Sequence, residues 1–348
     1  MPRIGLGIDF GCDSVKIAKV RIKNNRYIVE KFFIVPIPPG VVDNNVIKNT
    51  ELLLQELMPV IERNGIKGLR CVTSVSIPET LVKLIKLPVL KKRELDEAMK
   101  WELEKYLPFS AAQVISDYKI IGRGEENSIN FFSILLVGIQ KQIIEGHVRV
   151  VRQLGLKHTA IDLSAFAYYR SLRQDFTNKN SQLLLDMGAG GTRLFFFYKG
   201  LLCFQRWISF GGNLLTRELM NSTRYNWQEA EEAKKKYGIY ARDSVSEEKI
   251  IDPVFLTSLG SFIQELQRAI DFFNLQYSDQ PVQEIIILGG LTGMKGILDL
   301  LVKELSLPVS VFQFSEQFEF INGNDNKEWQ DKLPLAVGLA LRGAKGWN

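Results

Sequence analysis

The chain switches repeatedly between two hydrophobic periods. Residues 3–10 and 14–22 read as strands joined by the tight polar turn Gly-Cys-Asp-Ser, and residues 26–35 (RYIVEKFFIV) as a third strand. Past the PIPPG break the apolar spacing becomes that of a helix over 50–64, which stops at Gly65. CVTSVSI and LVKLIKL are strand-like and separated by Pro-Glu-Thr. The helical run 91–106 ends before Pro108, and SDYKIIG and INFFSILLVGI close as a hairpin around GRGEEN. This β-β-α-β-β block reads as an inserted subdomain. An amphipathic helix over 140–155 leads to a strand (156–162) and a helix (164–176). A second three-strand meander occupies 181–188, 192–200 and 201–210, followed by helices at 212–222 and 226–237. The long helix 253–276 carries one apolar stripe of Phe255, Leu259, Phe262, Leu266, Ile270 and Phe273. EIIILGG is a short apolar strand of the kind buried on both faces. Helix 294–305, strand 308–312, a polar loop over 315–332 and helix 334–343 complete the pattern.

One of these patterns occurs twice. IGLGIDFGCDSVKIAKV is echoed by QLLLDMGAGGTRLFFF: Asp9-x-Gly11 matches Asp186-x-Gly188 at an offset of 177 residues, and Lys16 falls at the same offset from Arg193. A duplication on this scale implies two similar halves facing one another. Each copy places a carboxylate in an apolar strand, beside a turn of small residues whose backbone N–H groups can hold phosphate oxygens. A carboxylate there is repelled unless a divalent cation lies between, so the pair Asp9 and Asp186 implies Mg²⁺, gripped through water. The turns are neither a P-loop nor a G-x-G-x-x-G fingerprint, and each alone is also what an ordinary hairpin carries. Three features favour the phosphate reading. ISFGGNLLTREL at 208–219 is a glycine-rich strand-to-helix turn, and Glu231 and Lys234 share a helix face. IIILGGLTGMKGI at 285–297 ends a strand in paired glycines just before a helix, where a base or phosphate lies close to backbone.

Composition narrows the class further. Hydrophobic residues make up 46% and charged residues 24%, as in globular domains, and the net charge of +5 falls short of a nucleic-acid footprint. The three cysteines, Cys12, Cys71 and Cys203, read as free thiols of a reducing compartment. His147 and His158 are the only histidines, expected at the surface, and no cluster has the spacing of a zinc site. The N-terminus has no signal-peptide layout, and no apolar run reaches the roughly 18–20 residues that span a bilayer. The expectation is a cytoplasmic chain, brought to the inner membrane by protein partners. The basic run at 91–93 could touch anionic lipid, or form the solvated start of an exposed helix.

The order of elements resembles the actin-like ATPase superfamily, which includes actin, heat-shock chaperones and sugar kinases. The resemblance implies an α/β fold of two duplicated domains around a nucleotide cleft. Residues 1–160 plus 334–348 would form the first lobe, with the insert at about 70–155 inside it, and 161–333 the second. It implies ATP or ADP with Mg²⁺, the metal lying near Asp9 and Asp186. Nucleotide contacts would come from Gly11, Cys12, Asp13, Ser14 and Lys16 in the first turn and Gly188, Ala189, Gly190 and Thr192 in the second. Gly212, Glu231, Lys234, Gly289, Gly290 and Met294 would complete them.

Within the superfamily, the segment VSIPETLVKLIKLPVLKKRELDEAMKWELEKYLPFSAAQVISDYKII is similar to the PilM family of type IV pilus machines. The marks are Pro78, Leu87-Pro88, Trp101-Glu102, Pro108-Phe109 and Asp117-Tyr118, with the ending LAVGLALRG. The similarity implies a scaffold that binds the cytosolic N-terminal tail of the inner-membrane protein PilN and links the periplasmic alignment complex to the motor. Leu84, Leu87, Trp101 and Leu107 are apolar candidates for that groove, the ordinary reading of each being core of the insert. There are departures. Gly191 stands where relatives often carry a hydroxyl residue. Cys12 stands where Ser or Thr is common and reads as a small turn residue rather than a reactive thiol. Ser164 replaces a Glu that would orient water, leaving Asp162 as the nearby catalytic candidate, so ATP binding with slow or absent hydrolysis is expected. An FtsA-like, membrane-recruited and polymerising division protein is the alternative; the ending LRGAKGWN, straight after the last core helix, counts against it. A metabolic kinase would leave 78–118 unexplained. Motor components and self-association stay open as further partners.

Overall fold

In the computed structural model, residues 3–78, 80–106, 110–126, 128–172, 181–240, 252–321 and 329–345 are described. Strands Arg3–Phe10 (β1), Ser14–Lys23 (β2) and Arg26–Pro36 (β3) form an antiparallel meander. A short hairpin of Val42–Asp43 (β4) and Val46–Ile47 (β5), helix Thr50–Arg63 (α1) and strand Arg70–Val75 (β6) follow. Next come Leu81–Pro88 (β7), helix Lys92–Tyr106 (α2), Val114–Glu126 (β8) and Ile129–Gln140 (β9). Helix Lys141–Gln153 (α3), strand Lys157–Leu163 (β10) and helix Ser164–Leu172 (α4) lead to the second meander, Ser181–Met187 (β11), Thr192–Tyr198 (β12) and Leu201–Ile208 (β13). Helices Gly212–Ser222 (α5), Trp227–Tyr237 (α6) and Leu256–Gln276 (α7) precede strand Glu284–Leu288 (β14) and helix Ile297–Leu305 (α8). Strands Val309–Val311 (β15) and Phe318–Phe320 (β16) and helix Pro334–Lys345 (α9) end the chain's described elements.

The repeat in the sequence is a repeat in topology. One sheet runs β10-β6-β1-β2-β3-β16 and the other β15-β14-β11-β12-β13. In each, the Asp-bearing strand has a parallel neighbour on one side, β6 or β14, and the antiparallel meander on the other. The register repeats as well: Asp9 stands opposite Lys16, and Asp186 opposite Arg193. Both carboxylates therefore lie near the carboxyl ends of parallel strands, where open α/β sheets bind ligands.

Three helical layers bury the two sheets. Leu53, Leu57, Val150 and Val151 of α1 and α3 cover the outer face of the first sheet. Between the sheets, Tyr168 and Leu172 of α4 and Leu335 and Leu339 of α9 pack against Leu184, Phe195 and Ile286. Helices α5, α7 and α8 cover the outer face of the second sheet. The whole stripe from Phe255 to Phe273 is buried there, each residue contributing about 1.5–3 kcal/mol relative to exposure. Helix α9 lies directly on β1: a Cβ at Gly5 or Gly7 would come within 2.0 Å of the carbonyl oxygen of Ala340 or Ala336. The alternating glycines of IGLGIDFG thus seat the last helix against the first strand.

Several elements differ from expectation. The polar loop over 315–332 contains β16, which pairs in parallel with β3 of the first sheet, and Phe318 and Phe320 join an aromatic cluster with Phe314. Residues 318–320 thus belong with the first half rather than the second. The separate unit is narrower than 70–155, because β6 joins the first sheet and α3 packs on that half's core. What stands apart is a sheet of order β7-β9-β8 with α2 across one face, its Leu95, Met99 and Leu103 meeting Leu81 and Ile85. His147 is no surface residue. It is fully buried on α3 against Phe10, ring centroids 5.1 Å apart, and its Nε2 lies 2.7 Å from the Asn45 carbonyl oxygen.

Candidate functional site

The two Asp-x-Gly turns and the glycine pair after β14 open onto one cleft of about 790 Å³. Its walls bring together Asp9, Gly11, Cys12, Asp13, Ser14 and Lys16 from the first turn and Asp186, Gly188, Ala189 and Gly190 from the second. Gly212, Glu231, Lys234, Gly289, Gly290 and Met294 line it too. Local geometry fixes these positions. Gly289 has φ +98°, and a Cβ on it would lie 2.5 Å from the Met187 carbonyl oxygen and 2.8 Å from Asp186 Oδ1. Its N–H donates to the Asp331 carbonyl at 3.0 Å. At the start of α5, the N–H groups of Gly212 and Asn213 donate to the carbonyls of Gly188 and Ala189 at 3.1 and 2.9 Å, docking the helix onto the second turn.

Two expected residues are placed elsewhere. Thr192 is fully buried, and its hydroxyl donates to the Phe210 carbonyl at 2.7 Å instead of facing the cleft. Asp162 is outside the lining. Its carboxylate is held by Arg170 at 2.6 Å and Arg342 at 2.7 Å, which ties β10 to α4 and α9.

The two paired carboxylates are in different states. Asp186 Oδ2 accepts the Tyr168 hydroxyl at 2.7 Å and lies 3.3 Å from Arg193 Nη1. Asp9 Oδ1 is buried without a hydrogen-bond partner. Burial pushes the Asp9 carboxyl above the usual carboxylate range; Lys16 and Arg193 pull it back, and Asp186 adds to the rise. Burial likewise drives the Tyr168 hydroxyl well above a free phenol, with Asp186 reinforcing it. Lys234 is buried, donates to the Gly212 carbonyl at 3.0 Å and the Thr216 hydroxyl at 2.8 Å, and pairs with Glu231; burial lowers its pKa. Cys12 Sγ accepts the Asn44 N–H at 3.2 Å, and burial raises its pKa, which suits a turn residue and not a nucleophile. Tyr168, Arg193, Trp207 and Asp331 also line the cleft. Of these, the sequence repeat marks Arg193 alone, as the counterpart of Lys16.

A family model described as type IV pilus assembly protein PilM matches residues 7–344. The chain belongs to the PilM family. Among solved structures it is similar to a PilM-PilN type IV pilus biogenesis complex, with TM-score 0.84 and 23% identity over 98% of this chain and 99% of that one. MreB5 of Spiroplasma citri bound to ADP superposes with TM-score 0.53 and 13% identity, covering 97% and 94%. The fold is that of the actin-like ATPases. Cell division protein FtsA of Bacillus subtilis (strain 168) is 29% identical over 183 residues, 47% of this chain and 41% of FtsA, so the chain spans less than half of that relative.

In this PilM-family chain no described helix is long and apolar enough to cross a membrane. The apolar candidates on the insert do not converge. Trp101 is 70% exposed on α2, on the side opposite Leu95, Met99 and Leu103, which face the sheet. Leu84 is 43% exposed on the other face of the sheet, because β7 alternates and Leu81 and Ile85 face α2. Leu87 packs partly into the insert's core, and Leu107 lies outside the described residues.

Proposed function

We propose that this PilM-family chain is a nucleotide-binding scaffold of a type IV pilus machine, which holds ATP or ADP in the cleft and the cytosolic N-terminal peptide of a PilN-like inner-membrane protein on the insert. It would thereby sit at the inner membrane through its partner and connect the alignment complex to the motor. The observation that carries this is the convergence of two duplicated Asp-x-Gly turns and a glycine pair on one cavity in a chain of this family. About 790 Å³ is within the usual range for a small-molecule cleft. Of the two carboxylates expected at Mg²⁺, Asp9 fits, since it has a buried oxygen with no partner that could hold a hydrated cation against phosphate. Asp186 does not, being engaged by Tyr168 and Arg193. Among the described residues no group of three or more His, Cys, Asp or Glu could hold a metal without the nucleotide's help. With Asp162 held between two arginines, binding with slow or absent turnover is the reading of the cleft.

The insert's two faces favour one place for the peptide. Val82 and Val137 lie on the same face as Leu84 and pack against Val75, Ile77 and Leu163, so this face forms the seam between insert and first half. Leu84, next along β7, leaves an apolar edge of that seam open, suited to an extended segment with alternating anchors. Labelled peptides copying PilN-type cytosolic tails are to be titrated by fluorescence anisotropy. Saturable binding is expected, weakened about 10-fold or more by Leu84→Glu, the worth of one buried leucine, and unaffected by Trp101→Glu. The reverse pattern would move the groove to the outer face of α2. No binding of any tail would remove the scaffold reading.

A further inference from the structure

Arg193 is a buried cation with unspent donors inside the cleft. It stands opposite Asp186 in the β11–β12 register and lines the cavity. Its Nη1 is 3.3 Å from Asp186 Oδ2, an ion-pair contact without hydrogen-bond geometry, and both Nε and Nη1 are buried with no acceptor. The guanidinium carbon lies 5.7 Å from the centre of the Trp207 ring, which backs it from the β13 side. An arginine cannot shed its proton to relieve such a position. Burial opposes its charge, but Asp186, Tyr168 and Asp9 outweigh that and raise its pKa further.

The repeat therefore supplies one cation for each carboxylate: Lys16 across from Asp9, Arg193 across from Asp186. A metal is called for in such a cleft when two carboxylates facing phosphate are left unneutralised. Here they are not. We infer that Arg193, beside Lys16, is a phosphate-binding residue of this chain, and that it lets the cleft hold a nucleoside di- or triphosphate without requiring a divalent metal. This rests on the nucleotide reading above. The unpaired Nε–H and Nη1–H lie on different edges of the guanidinium, and each is a charge-assisted donor for a phosphate oxygen.

The test is calorimetric titration of the full chain with ADP and with ATP, in Mg²⁺ and in EDTA. The unaltered protein is expected to bind with dissociation constants within about 5-fold of each other in the two buffers. Arg193→Gln, with its fold checked by thermal melting, should bind roughly 10- to 100-fold more weakly in EDTA, the range of a charge-assisted hydrogen bond. Mg²⁺ should recover part of that loss, because the cation then replaces the missing charge. Binding by the unaltered protein only in Mg²⁺ overturns the inference while leaving the nucleotide reading intact, and needs no variant. Undiminished binding of Arg193→Gln in EDTA overturns it as well. Absence of binding in both buffers overturns the inference and the nucleotide reading together.

Discussion

A buried carboxylate oxygen with no partner costs a folded protein stability, and Asp9 Oδ1 is in that state. Its pKa is raised by burial, so between the usual carboxylate value and its folded one the native state holds a proton that the unfolded chain lacks. Stability from this group is then fully present in acid, below the unfolded value, and is lost as pH rises through the folded value. Asp9→Asn keeps the shape and removes the charge. It is expected to raise stability at pH 7 by about 1–2 kcal/mol, with the gain fading in acid, as read by urea denaturation across pH. The same variant should lose the Mg²⁺-dependent part of nucleotide binding. No gain in stability at neutral pH would mean that the oxygen has a partner in solution. Asp9 and Asp186 are legible in the sequence because the pattern around them is repeated. Tyr168 is not, since its bond to Asp186 comes from α4 packing between the sheets. Thr192 misleads for the same reason: the acceptor of its hydroxyl, Phe210, is 18 residues away and reachable only in the fold.

Helix α9 and strand β1 show what an element can demand of single residues. Ala336 and Ala340 recur on one helical face, and Gly5 and Gly7 on one face of the strand, so the two backbones meet with no side chain between them. Gly7→Val should be destabilising by at least the ~1–3 kcal/mol of ordinary overpacking, since a backbone carbonyl 2.0 Å away cannot rotate aside. Thermal melting measures this, and an unchanged midpoint would show that α9 can lift from β1 without loss. Long elements such as α7 are legible from their apolar stripe, and the two meanders from alternation between turns. The short ones are not. The hairpin β4–β5 has two residues per strand, which pair with each other, and β16 is three residues in a polar stretch, whose pairing is decided by what β3 and the neighbouring aromatics offer. The insert's outer limits escape the sequence because β6 looks like its companion β7, and only sheet pairing assigns it to β1.

At the scale of the molecule, one loop residue bonds both toward the first turn and toward the insert. Asn45 donates from Nδ2 to the Phe10 carbonyl at 2.8 Å, beside the first turn, and its Oδ1 accepts the Ser76 N–H at 3.3 Å, where the chain leaves β6 for the insert. Its carbonyl accepts from His147 on α3, the helix through which the chain returns from the insert. The adjacent Asn44 N–H reaches Cys12 in the turn itself. Both connections of the insert are thus bonded to the loop that backs the first turn. We expect ADP and the peptide to alter one another's affinity, and linkage requires the two factors to be equal; couplings of this type are commonly 5- to 150-fold. Asn45→Gly removes the two side-chain bonds without backbone strain, because the residue already has φ +63°. In anisotropy titrations with and without ADP, the factor should fall toward one in the variant while each ligand alone still binds. A factor of one in the unaltered protein would rule out coupling. A factor that survives Asn45→Gly would mean that it travels through the packing of α9 and α4 between the two sheets instead.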